Sequence, residues 1–424
     1  MPPNEPSTTA AGASDPLPAC HGVSPGYQHS RTPIIRRSHT SALPVTGAWQ
    51  PHHPRGLRQF HGLPPDRPFA LEGGGVLVGP VVAYETWGTL TPARDNAVLV
   101  CHALTGDSHA YGDLGPGHPT PGWWNGFVGP GAPLDTDRYF VVCVNVIGGC
   151  QGSTGPASPD PMTGRPWGSR FPVVSIRDMV RTQAAVADHL GIDCWLAVVG
   201  GSMGGMQVLE WGVMYPDRVR GLIPIATAAA ASAHQIGWWS SGRRVIQMDP
   251  RWRGGDYYDA EPGDGPHDGL GTARMMSMMT FRSDDVFDAR FGREVVDPID
   301  GFSLWQRFQV ERYVEYQGDK LVRRFDANSY LLLTKAMDLH DLARGRGGLD
   351  AAFERLQAPL LAVGISSDIL YPARQAREIV WRAQEAGVDA EYVELYSPHG
   401  HDAFLIELDA LGDCVTKFLA QVDE

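Results

Sequence analysis

With 424 residues, 43% of them hydrophobic, the chain has ample material for a sizeable buried core. Its formal net charge of −13 argues against non-specific binding to nucleic acid or to an anionic membrane. No apolar run reaches the roughly 18 residues of a membrane span, and the six cysteines form neither a C-x-x-C pair nor a metal-ligand spacing, which points to a cytoplasmic protein with reduced thiols.

In chain order, residues 1–60 are rich in Pro, Ser, Thr, Gly and His and read as a disordered extension, because they bury too little apolar area to offset their ordering entropy. No apolar stretch follows Arg36-Arg37, so the pair is not read as an export signal. Val81 to Trp87 has the pattern of a strand. Ala97 to Cys101 and Tyr139 to Val144 are continuous apolar runs, as strands buried on both faces require. Ser175 to Leu190 reads as an amphipathic helix, with Ser175 as cap and Asp178 three residues on. Trp195 to Val199 is a further buried strand. Met203 to Tyr215 is a helix stopped by Pro216, and Leu222 to Ile225 a short strand. Residues 228–349 then become mostly helical in pattern. Strand signals resume at Leu360 to Gly364 and Glu391 to Leu395, and a last helix is expected from about Ala403. Buried strands alternating with helices predict a mostly parallel sheet flanked by helices. Its first part spans 61–227, its second 350–424, and 228–349 form a helical cap.

Gly200-Gly201-Ser202-Met203-Gly204 is a G-x-S-x-G sequence between a predicted strand and a predicted helix, the context of a nucleophile elbow and so of an α/β-hydrolase fold. A serine hydroxyl needs a base, and in this fold the acid and then the histidine follow it. Asp368 lies in the loop after the Leu360 strand. Two histidines, His399 and His401, follow the last strand, and His401, beside Gly400 and directly before the final helix, is the better placed. Two N–H groups should meet the oxyanion: that of Met203, after the nucleophile, and that of Leu104, in the loop after an early strand. His102 reads as a structural loop residue. The sequence contains no metal-binding motif and no P-loop, so no metal and no bound cofactor are expected.

The run Cys101-His102-Ala103-Leu104-Thr105-Gly106-Asp107 resembles the homoserine O-acetyltransferase family. So do Gly122-Trp123-Trp124, Gly148 to Pro156, Gly200 to Gln207 and Gly400 to Leu405. The resemblance covers residue 70 to the end. It implies Ser202 as nucleophile, Asp368 as acid and His401 rather than His399 as base. It also implies Arg274 at the substrate and Asp402 at the homoserine amine; a guanidinium fork suits a carboxylate. The implied reaction is ping-pong acetyl transfer from acetyl-CoA to L-homoserine in methionine biosynthesis, by a homodimer joined through the cap. The resemblance also implies homoserine over serine, because homoserine-using members resemble this loop at Gly106 while serine-using relatives tend to carry proline there, and a glycine leaves more room and a more mobile loop. Where the family often carries tyrosine, seven positions after the arginine, this chain has Phe281. The rival readings are a serine O-acetyltransferase, a homoserine O-succinyltransferase, an esterase or thioesterase, and a binding protein on the same fold.

Overall fold

Continuous aliphatic runs build the middle of an eight-stranded sheet in the computed structural model, which describes residues 43–296 and 307–424. Its strands are β1 (Gln59–Gly62), β2 (Val81–Trp87), β3 (Ala97–Cys101), β4 (Phe140–Val144), β5 (Ala197–Gly201), β6 (Leu222–Ile225), β7 (Leu360–Ile365) and β8 (Ala390–Leu395). They lie in the order β1-β2-β4-β3-β5-β6-β7-β8. From β4 to β8 neighbouring strands are parallel, whereas β1–β2 and β2–β4 are antiparallel. Every residue of β3, β5, β6 and β7 is buried, because helices cover both faces. Leu99 and Val198 face one apolar cluster, with α1 (Ile176–Leu190), α2 (Met203–Met214) and α9 (Ala373–Glu385). Val98 and Val199 face the other, against α10 (Leu408–Asp423).

Local signals act as the sequence implies in α1. Ser175 and Asp178 form a reciprocal capping box, and Gly191 ends the helix at φ 69°. The last helix begins later than expected, at Leu408. Gly400–Leu405, which carries His401, winds instead into a tighter 3-10 turn.

Between β6 and β7 run α3 (Ala233–Met248), α4 (His267–Phe281), α5 (Asp284–Phe291), α6 (Gln309–Val322) and α7 (Ala327–Asp338), followed by α8 (Leu349–Phe353). Residues 297–306 of this cap lie outside the described residues. Trp239, Leu270, Phe281, Leu321 and Leu333 from the cap share one apolar cluster with Leu104, Val146 and Met203 from the core. The cap therefore packs onto the loops at the C-terminal ends of the parallel strands.

The disordered extension expected over residues 1–60 does not reach 43–60; residues 1–42 lie outside the described residues. Leu43 and Ala48 are buried, and Gln59–Gly62 pairs with β2. The Gly47 N–H donates to Phe325 O, the Trp49 N–H to Cys150 O, and Thr46 Oγ1 to Asp326. The segment is poor in apolar residues of its own, but distant parts of the chain supply the surface and hydrogen bonds that offset its ordering.

Candidate active site

Leu104, Ser202, Asp368 and His401 follow the C-terminal ends of β3, β5, β7 and β8, so the parallel sheet delivers all four to one edge. Ser202 is held at φ 59° and ψ −122°, outside the range an L-residue ordinarily adopts, at a cost of about 1–3 kcal/mol. Hydrogen bonds over-determine that geometry. The Ser202 N–H donates to Ile225 O at 2.9 Å, and Thr227 Oγ1 donates to Ser202 O at 2.9 Å. Glycine is required on both sides of the turn. A Cβ at Gly200 would lie 2.6 Å from Cys101 O, and one at Gly204 would collide with the same carbonyl. Met203 is the first residue of α2, where an N–H has no partner within the helix.

Asp368 and His401 are buried and joined, with Asp368 Oδ2 2.6 Å from His401 Nδ1. The other carboxylate oxygen, Oδ1, accepts the Leu370 and Tyr371 N–H groups at 2.8 Å each. An acceptor-only carboxylate keeps the proton on Nδ1 and leaves Nε2 as the basic nitrogen. Burial is the largest influence on His401 and disfavours the imidazolium. The Asp368 carboxylate outweighs it by charge and hydrogen bond, with help from Asp402, and holds the pKa above the usual imidazole value. The Tyr371 ring stacks on the imidazole at 5.1 Å, and the Phe281 centroid lies 5.9 Å away. Phe404 packs edge-on to His401 at 5.8 Å while its ring fills the space beside Gly201, tying His401 to the elbow. His399 is a third exposed and sits 3.8 Å from Glu407, away from this pair.

Leu104 lies in a turn closed by a hydrogen bond from the Gly106 N–H to Ala103 O at 2.9 Å. The buried His102 braces it. Its Nδ1 bonds Ala103 O at 2.8 Å and its Nε2 accepts the Val146 N–H at 3.1 Å, which fixes a neutral tautomer. The mobile loop expected from Gly106 is instead a tethered turn. A Cβ at 106 would lie 2.9 Å from His102 Cβ, so glycine is needed for close approach rather than for freedom.

The Arg274 guanidinium lies 5.0 Å from the Phe281 ring centroid. Burial lowers its pKa, Asp402 opposes that, and Arg324 adds to it. Asp402 already has a partner, Arg282, whose Nε is 3.2 Å away. Burial raises the Asp402 pKa, while Arg282, Arg274 and His401 oppose the rise. Sequence reasoning missed Arg282 and Arg324, since no motif marks either. It also missed a buried group outside this site: Glu85, His109 and His118 bring ligand-type atoms within 4.8 Å of one another. Hydrogen bonds occupy those atoms. His109 Nδ1 bonds Glu85 at 2.9 Å, Ser108 Oγ donates to Glu85 at 2.9 Å, and His118 Nε2 accepts the Leu57 N–H at 3.0 Å.

Residues 96–408 match the α/β hydrolase fold family. The homoserine O-acetyltransferase of Thermobifida fusca is 52% identical over 382 residues, covering 90% of this chain and 99% of that protein. The enzyme of the same name from Carboxydothermus hydrogenoformans is 52% identical over 354 residues, covering 83% of this chain and 93% of that protein. Among solved structures, the homoserine O-acetyltransferase of Bacillus anthracis superposes with a TM-score of 0.79 at 29% identity, covering 85% of this chain and 97% of that one. Esterase E22 superposes with a TM-score of 0.78 at 28% identity, covering 85% and 99%. The chain belongs to the homoserine O-acetyltransferase family, on the α/β hydrolase fold.

Proposed function

We propose that this chain is a homoserine O-acetyltransferase that moves an acetyl group from acetyl-CoA to L-homoserine through an acetyl-Ser202 intermediate. Identity of about half with enzymes of that name over most of the chain carries the reading. The strained Ser202 and the buried Asp368–His401 pair support the mechanism. His401 Nε2 takes the Ser202 proton as Oγ attacks the thioester carbon. The Leu104 and Met203 N–H groups stabilise the oxyanion. The C–S bond breaks, and the coenzyme A thiolate leaves with the proton from His401. Homoserine then gives its hydroxyl proton to His401 and attacks the acetyl carbon; the ester bond to Ser202 breaks, and Ser202 Oγ leaves with that proton returned from His401. Arg274 holds the acceptor carboxylate and Asp402 its amine, which fixes the hydroxyl at the acyl carbon. The cap excludes water during this interval. As the family resemblance implies, we read the enzyme as a cytoplasmic homodimer joined through the cap.

Mass spectrometry after exposure to acetyl-CoA alone tests the intermediate: the protein gains one acetyl group, and Ser202→Ala gains none. Acetylation at another residue overturns the assignment. Likeness to esterase E22 gives the hydrolytic reading its one specific support. Acceptor dependence separates the two, since a transferase consumes acetyl-CoA much faster once homoserine is added and an esterase does not. Offering succinyl-CoA beside acetyl-CoA, and serine beside homoserine, tests both specificities. A pocket separates acceptors one methylene apart by about 1–3 kcal/mol, so the homoserine preference should be clear without being absolute.

A further inference from the structure

The turn that presents the Leu104 N–H is held by its carbonyl oxygens. His102 O accepts from Gln207 Nε2 at 3.3 Å, Ala103 O from the Gly106 N–H and from His102, and Thr105 O from Arg324 Nη1 at 2.7 Å. The first three donors belong to the core. Arg324 belongs to the cap, between α6 and α7, and is 219 positions away in sequence. It is also the charged donor of the set, and a guanidinium bond to a carbonyl is stronger and more directional than one between neutral groups. The Arg324 main chain is anchored in turn, because its carbonyl accepts from Gln151 Nε2 at 2.7 Å and the next carbonyl, that of Phe325, accepts the Gly47 N–H.

We propose that Arg324 is a positioning residue for the oxyanion donor: by gripping Thr105 O it fixes the orientation of the turn and hence the aim of the Leu104 N–H. The inference rests on the reading of Leu104 as an oxyanion donor. A peptide plane free to tilt at 105 relaxes the 103–106 turn, and a donor aimed wrongly stabilises charge poorly where charge develops. The role acts on both half-reactions, because each passes through a tetrahedral oxyanion. That separates it from a second possible role for this cation, which shares a region with Arg274. A group that only attracts the acceptor carboxylate affects the homoserine step alone.

Arg324→Gln and Arg324→Lys, each checked for folding by circular dichroism and melting temperature, are tested in two assays. Rapid quench with acetyl-CoA and no acceptor gives the rate of Ser202 acetylation, and steady-state turnover gives the homoserine KM. In Arg324→Gln, acetylation should slow by about 10- to 100-fold while the homoserine KM changes by less than about threefold. Arg324→Lys, whose ammonium lacks the fork geometry, should fall between Gln and wild type. An unchanged acetylation rate in the Gln variant overturns the proposal, as does a loss confined to the homoserine KM. If the Gln variant fails to fold, the Lys variant decides: slowed acetylation upholds the proposal and a wild-type rate overturns it. Failure of wild type to acetylate Ser202 refutes the underlying function instead, without involving Arg324.

Discussion

His401 and His399 are two positions apart and differ in every physical respect that matters for a base. His401 is buried, bonded to a carboxylate at 2.6 Å and flanked by aromatic rings, whereas His399 is partly exposed beside Glu407. His401→Ala should therefore lose at least about 10⁴-fold in turnover, and His399→Ala should stay within a few fold of wild type. Steady-state assays of both variants check this. Because the Asp368 carboxylate holds the His401 pKa above the usual imidazole value of about 6.5, a base at this position loses its proton at higher pH than a free imidazole. The rate of Ser202 acetylation should rise with pH through an apparent pKa above that value. Arg282 makes a separate residue-scale prediction. It favours the ionised form of Asp402, which burial disfavours. In Arg282→Met the Asp402 pKa rises, and a neutral carboxyl cannot hold an ammonium group. The acid limb of kcat/KM for homoserine should move to higher pH, whereas the acetylation profile, in which Asp402 only helps to hold the His401 pKa up, should not move to higher pH. Equal shifts in both would remove Arg282 from acceptor recognition.

The elbow and α1 show two ways in which an element depends on single residues. At the elbow the constraint is steric. Gly204 faces the Cys101 carbonyl across the β5–α2 turn, so Gly204→Ala must push β3 and α2 apart. Overpacking of this kind costs about 1–3 kcal/mol, and the shift also moves the Met203 N–H. Melting temperature and acetylation rate should both fall. In α1 the constraint is a hydrogen bond: the Ser175 side chain accepts the Asp178 N–H at the start of the helix. Ser175→Ala should cost about 1 kcal/mol, seen as a lower melting temperature, with turnover at permissive temperature unchanged. The contrast separates an element that shapes the site from one that supports the sheet.

Across the whole molecule, buried histidines should weaken stability as the pH falls. His102 holds the turn at Leu104, His118 lies in the Glu85 cluster, and His340 bonds Ala228 O after α7. Burial lowers the pKa of all three, to about 4 for His118 and His340. Between the unfolded value of about 6.5 and that folded value, the unfolded chain binds more protons, so these groups remove stability as pH falls from 6.5 toward 4. His109 works in the opposite sense. Burial disfavours its charge, but Glu85 outweighs burial and raises its pKa. Its contribution is complete below about 6.5 and is lost as pH rises through its folded pKa. His340→Gln and His118→Gln should each flatten the fall in melting temperature between pH 6.5 and 4.5. An unchanged slope in both would show that other groups govern acid unfolding.

The sequence by itself determined the alternation of buried strands and helices, the elbow at Ser202 and the chain order of Ser202, Asp368 and His401. These are local properties: a run of apolar residues, a glycine where no Cβ fits, a cap three residues from its partner. The tertiary structure decided what lies between distant segments. It ordered residues 43–60 against Cys150 and Phe325, tethered the turn at Gly106, gave Asp402 its counter-ion and brought Glu85, His109 and His118 together. None of these leaves a period or spacing in the chain. Each depends on which surfaces meet once the cap and the sheet have packed, as the reach from Arg324 to Thr105 across 219 positions illustrates.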